Sequence, residues 1–183
     1  MRILKYAILG LLNNKNMTGY DISKEFNAQI AEFWNAKHSQ IYPELKKLVS
    51  EGLIVFNIEL SGDVLEKKVY SITEKGREEF LSWLSKDEPM EPTPKNIFRL
   101  RMYFSSNLDI KTRISLLESQ LIQHENRLAF LQSQKDAYCI VPDINSQYFG
   151  DYLVLEGAII REQGSIKWLK NCINHCSNNS IKK

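Results

Sequence analysis

The chain is poor in the residues that stiffen or staple small proteins: its 183 residues include three cysteines, five prolines and eight glycines. The thiols, Cys139, Cys172 and Cys176, are odd in number and lack framework-like spacing, which argues against a disulfide-bonded scaffold and predicts reduced cysteines. So little glycine and proline, beside 43% hydrophobic residues, excludes collagen-like and disordered chains and leaves one or two domains with real cores. Long apolar runs are missing too. The densest, at residues 7–12, falls far short of the ~20 residues a bilayer requires. It runs into Asn13, Asn14, Lys15 and Asn16 with no small-residue cleavage site, so neither a membrane partner nor a secretory signal is expected and the chain reads as cytoplasmic. An excess of one charge is also lacking. A net charge of +2 does not mark a nucleic-acid binder, so any such function must come from a local patch.

What is present is a pattern that changes period along the chain. Three prolines among charges at residues 86–94 forbid a continuing helix. They divide the chain into a domain at 1–86, a linker at 87–94 and a second domain at 95–183. In the first domain, residues 3–12 are apolar on nearly every side, as in a short buried helix. Thr18, three residues ahead of Asp21, forms a variant capping box, followed by Ile22, Phe26, Ile30 and Phe33 at helical spacing. Phe33 and Trp34 continue that stripe and read as packing residues. From Ser39 a third helix places Ile41, Leu45, Leu48 and Val49 on one side and ends at Gly52. Residues 53–60 and 66–72 then read as two strands around the turn Ser61-Gly62-Asp63, and Thr73 caps one more helix through Leu84.

The second domain reads as helix only. Ile110, Ile114, Leu117, Leu121, His124, Leu128, Leu131 and Tyr138 form one heptad seam. Tyr148, Tyr152, Leu155, Ile159, Glu162, Ile166, Leu169, Ile173 and Cys176 form another, with a turn near Val141-Pro142-Asp143. Ile114, Leu117, Leu121, Leu128, Leu155, Ile159, Ile166 and Leu169 are thus the candidate dimerisation residues of an antiparallel helical hairpin. Leu153, Val154 and Ile160 widen its apolar face beyond one seam, which points to a partner chain. His124 and Glu162 are the polar exceptions, each nineteen residues from Asp143, and would meet across the hairpin unless either escapes to water at the seam's edge.

Three helices followed by a strand hairpin is the order of a winged helix-turn-helix, so the fold class is mainly α: an α+β winged domain with a C-terminal antiparallel helical hairpin or coiled coil. In such a unit the third helix enters the major groove of DNA. Its outward face would carry Ser39, Gln40, Pro43, Lys46, Lys47 and Ser50, with Tyr42 on the flank. These suit base edges and phosphates, although two lysines and a glutamine also suit a solvated surface. Lys67 and Lys68 on the return strand favour a polyanion, whereas Asp63 argues against deep insertion of the wing. Tyr20, in the first turn of the second helix, suits a phosphate or packing on Phe26 or the first helix.

On residues 1–12 (MRILKYAILGLL), 18–26 (TGYDISKEF), 33–48 (FWNAKHSQIYPELKKL) and 65–73 (LEKKVYSIT), the sequence resembles the PadR family of bacterial transcriptional regulators. A looser match continues through 101–104 (RMYF) and 149–155 (FGDYLVL). The resemblance is to the long-tailed subgroup. It implies a homodimer joined by C-terminal helices, a palindromic double-stranded operator, a repressor function and, in some members, release by a small aromatic effector such as a phenolic acid. Carried over by position, the family's DNA contacts fall on Tyr20, His38, Ser39, Gln40, Tyr42, Lys46, Lys67 and Lys68; the effector and its site do not carry over. An activator of the same subgroup and a winged-helix protein-protein adaptor are the alternatives. No cofactor is implied and no catalytic set appears, so an enzyme is not expected. Cys172, His175 and Cys176 share a helix but lack a fourth zinc ligand, and Cys176 already has a seam position, so no metal is expected.

Overall fold

The computed structural model describes residues 2–26, 37–61, 65–90 and 92–180. Phe33, Trp34 and Asp63, singled out above, lie outside the described residues. The chain forms two compact units, Met1–Met90 and Glu91–Lys183.

The first unit runs α1 (Ile3–Asn14), β1 (Met17–Thr18), α2 (Gly19–Phe26), α3 (His38–Ser50), β2 (Ile54–Ser61), β3 (Leu65–Ile72) and α4 (Glu74–Leu84). Because α1 is apolar on nearly all sides, it can pack against several elements at once; Ile8, Leu9 and Leu12 are buried with Ile22 and Phe26 of α2 and Ile41, Leu45 and Leu48 of α3. The antiparallel wing has the register Ile54↔Ile72 to Ser61↔Leu65. The two residues of β1 add a third strand, so that the sheet order is β1-β3-β2. Only Met17 and Thr18 pair there, too short a run for any sequence period to reveal.

The predicted stop of α3 forms as a Schellman motif. Gly52 adopts φ 70°, its N–H donates to Val49 O at 3.0 Å, and Leu53 N–H reaches Leu48 O at 3.0 Å. Thr73 caps α4 as expected, its hydroxyl oxygen accepting from Gly76 N–H at 3.1 Å while its proton is shared by the carbonyls of Gly52 and Leu53. The start of α4 is thereby tied to the end of α3. Gly76 is required by this closeness, since a Cβ there would lie 2.0 Å from Leu53 O.

The second unit contains α5 (Ile97–Tyr103), a single 3₁₀ turn at Ser105–Asn107, α6 (Ile110–Asp136) and α7 (Gln147–Ser180). Asn96 and Asp109 cap α5 and α6 through their side-chain oxygens. The sequence reading starts the helices of this half at Ile110 and so omits α5, seven residues with too few turns to display a period. Helices α6 and α7 pair as the expected antiparallel hairpin, enclosing Leu117, Leu131, Tyr152, Ile159, Ile166 and Leu169. Among the described residues no helix is long and apolar enough to cross a membrane.

Candidate nucleic-acid interface

The third helix presents the face its spacing predicts. Ile41, Leu45 and Leu48 are fully buried, whereas Ser39, Gln40, Tyr42, Pro43, Lys46, Lys47 and Ser50 are exposed. Pro43 is the sixth residue of α3. His38 opens the helix, and its side chain lies outside the described residues. Gln40 already has one partner: its Oε1 accepts from Lys37 N–H at 3.0 Å. Lys37 carries no side-chain acceptor, so only this arm of a capping box can form. Tyr42 lies against the start of α2, where a Cβ on Gly19 would meet its Cε1 at 2.9 Å. The absence of a side chain at position 19 therefore lets α3 approach α2 closely.

A second exposed strip runs from α2 to the wing. The Thr18–Asp21 capping box is present: Asp21 N–H donates to Thr18 Oγ1 at 3.1 Å, and Thr18 donates to Asp21 Oδ2 from its hydroxyl at 2.7 Å and its N–H at 3.2 Å. These hydrogen bonds hold the Asp21 carboxyl below its ordinary pKa, assisted by the charges of Lys67 and Lys15. The pairing of Thr18 with Val69 places the return strand of the wing beside the first turn of α2. Tyr20, in that first turn, is 70% exposed, while Phe26 is fully buried. The Asp21 carboxylate occupies the helix start. Lys68 is held over the Phe56 ring, 4.3 Å from its centroid, with its side chain still exposed.

Behind this face is a buttress that sequence reasoning missed. Arg2 Nε donates to Glu44 Oε1 at 3.0 Å, and NH1 of the same guanidinium reaches Glu51. Glu44, 8% exposed, is the inward carboxylate of an otherwise apolar helix face. That charge on the inner stripe was the available signal. The guanidinium holds the Glu51 carboxyl below its usual pKa, chiefly by hydrogen bonding.

In the hairpin, Leu117, Ile159, Ile166 and Leu169 are buried within one chain, and Ile114, Leu121, Leu128 and Leu155 are partly buried. The four buried ones are already covered within one chain. The apolar residues that remain outside include Ile122, Phe130, Leu153, Val154, Ile160 and Trp168. His124 Nδ1 and Glu162 Oε2 meet at 2.5 Å, as the turn position required. Lys135 with Glu156, Lys170 with Glu125, and Tyr138 with Asp151 add further polar rungs. Burial and the Asp151 carboxylate push the Tyr138 hydroxyl up to about 12. Burial also raises the pKa of Cys172, and no group of three or more His, Cys, Asp or Glu suited to a metal occurs among the described residues.

A three-helix core, an antiparallel wing, a polar outward face on the third helix and an appended helical hairpin define a winged-helix transcriptional regulator. Residues 8–82 match the model of the transcriptional regulator PadR-like family, and residues 94–177 match the virulence activator alpha C-terminal domain. The chain is 42% identical to the negative transcriptional regulator PadR of Bacillus subtilis, over 94% of this chain and 97% of that protein. The crystal structure of B. subtilis PadR in complex with operator DNA superposes with a TM-score of 0.90 at 41% identity, covering 96% of this chain and 99% of the other. The same protein in complex with p-coumaric acid gives a TM-score of 0.86 at 39% identity, covering 96% and 99%. The Vibrio cholerae virulence activator AphA gives 0.71 at 29% identity, covering 96% and 98%. The chain belongs to the PadR family of transcriptional regulators.

Proposed function

We propose that this chain is a cytoplasmic, homodimeric repressor that reads a palindromic operator with α3 and the wing and is released by a small aromatic acid of the phenolic type. The observation that carries the DNA-binding half is the division of α3 into a wholly buried apolar face and an exposed polar one bearing Ser39, Gln40, Lys46 and Lys47. Lys67 and Tyr20 share the adjoining edge. In this reading Ser39, Gln40 and Tyr42 approach base edges from the first turns of α3, and Lys46 reaches a guanine edge or a phosphate. Tyr20, Lys67 and Lys68 grip the backbone. Arg2 and the Schellman turn fix the angle of the helix. Two such units on one dimer would meet half-sites one helical turn apart, ~34–36 Å, or a multiple of it.

Support for the effector comes from the B. subtilis relative, whose structures include one with operator DNA and one with p-coumaric acid. The test is fluorescence anisotropy with duplexes from the promoters of the chain's own and neighbouring genes. Specific binding that weakens ~10³- to 10⁵-fold between 50 and 200 mM salt fits six to ten phosphate contacts per dimer. Salt-independent or absent binding would overturn the assignment. Release by p-coumarate and related hydroxycinnamates, measured on the same complex, tests the effector half separately.

A further inference from the structure

The side-chain amide of Gln40 has two chemically opposite ends, and the fold uses one of them. Its Oε1 is turned back onto Lys37 N–H at 3.0 Å, at the entrance to α3. The chemistry fixes the identity of that end: a backbone N–H donates, so the group facing it must be the carbonyl oxygen. The bond is worth keeping because Lys37 lacks a side-chain acceptor, leaving Gln40 to supply the only side-chain cap at this helix start among the described residues. The Nε2 amino group branches the other way. Gln40 is exposed, and its amino group has no hydrogen-bond partner among the described residues.

We infer that Gln40 reads its operator position as a hydrogen-bond donor only, recognising a base by its major-groove acceptors. This rests on the DNA-binding reading of α3 proposed above. A free glutamine makes a paired contact with adenine, accepting from N6 while donating to N7. A capped one has lost the accepting half to its own backbone. It can donate to the N7 of either purine, to guanine O6 or to thymine O4, but cytosine offers it only the N4 donor and is repelled. On the strand it faces, the position is therefore degenerate among three bases and disfavours the fourth. Discrimination should be that of one neutral hydrogen bond, about three- to tenfold, not the stronger adenine preference of a paired contact.

Substitution separates capping from reading. In Gln40→Glu one carboxylate oxygen still accepts from Lys37 N–H, and a negative charge near a helix start is favourable, so the fold is retained. The outward group then becomes an acceptor. Gln40→Ala loses both functions.

The experiment is selection of bound duplexes from a randomised pool at fixed salt, using the full-length wild type, Gln40→Glu and Lys67→Ala, with thermal melts of each. The expected result is one column per half-site in which the wild type accepts A, G and T and disfavours C about three- to tenfold. Gln40→Glu should take C in that column, with every other column and the melting temperature unchanged. Lys67→Ala should weaken all sequences alike. A wild-type column restricted to adenine, or one indifferent to Gln40→Glu, overturns the inference while leaving α3 as the reading helix. No enrichment of any sequence by the wild type overturns the DNA-binding reading itself.

Discussion

Arg2 and Glu44 are 42 residues apart in sequence, yet their contact governs the seating of α3. Removing the guanidinium strands a carboxylate that is only 8% exposed. Because Arg2 itself is partly solvated, Arg2→Ala should cost about 1 kcal/mol, and not the full cost of a buried charge. Chemical denaturation and operator affinity measured together check this: both should fall, with Arg2→Lys recovering part of each. Acid sensitivity belongs to the same scale. The folded Asp21 carboxyl titrates below its unfolded value, ~3.9, so its hydrogen bonds contribute fully above about pH 5. That contribution declines as the pH falls toward the folded pKa and is lost below it. Asp21→Asn keeps an acceptor for the cap but cannot titrate. Urea midpoints taken from pH 6 to pH 3 should therefore fall less steeply for the variant, the two curves converging at the acid end.

At the scale of elements, the hairpin tests how polar groups behave inside an apolar seam. His124→Leu leaves the Glu162 carboxylate facing a hydrocarbon and should destabilise the protein by ~1–3 kcal/mol. The double variant with Glu162→Leu should recover most of that loss, as denaturation midpoints will measure; two additive losses would mean that the residues do not act as a pair. This pairing was legible from sequence because an antiparallel hairpin obeys simple arithmetic once its turn is located. The amphipathic stripe of α3, the caps at Thr18 and Thr73 and the wing were legible for a similar reason: each is encoded by neighbours a few residues apart. The Arg2 buttress, the Tyr42–Gly19 contact and β1 depend on segments brought together only by folding, and no local period records them. The cap on Gln40 was hidden because Lys37 is an unexpected residue at a helix start. That same exception restricts the paired adenine contact the sequence allows.

At the scale of the whole molecule, the heptad seams expected to join two chains also close the hairpin of one. Leu117, Ile159, Ile166 and Leu169 are consumed within one chain. The apolar surface left for association includes the outward face of the hairpin, where Ile160 is 62% and Leu153 50% exposed. Ile160→Asp should leave the helical content unchanged, convert the dimer to a monomer in light scattering and weaken operator binding, since two half-sites would no longer be engaged together. A dimer of unaltered mass would place the interface elsewhere.

The rungs from Glu125–Lys170 through His124–Glu162 and Lys135–Glu156 to Tyr138–Asp151 are spread along most of the hairpin. Sliding one helix past the other by a turn would part all four at once and offer nothing in exchange. Within the hairpin, a stimulus acting on α6 and α7 therefore meets more resistance to sliding the helices than to moving the pair together.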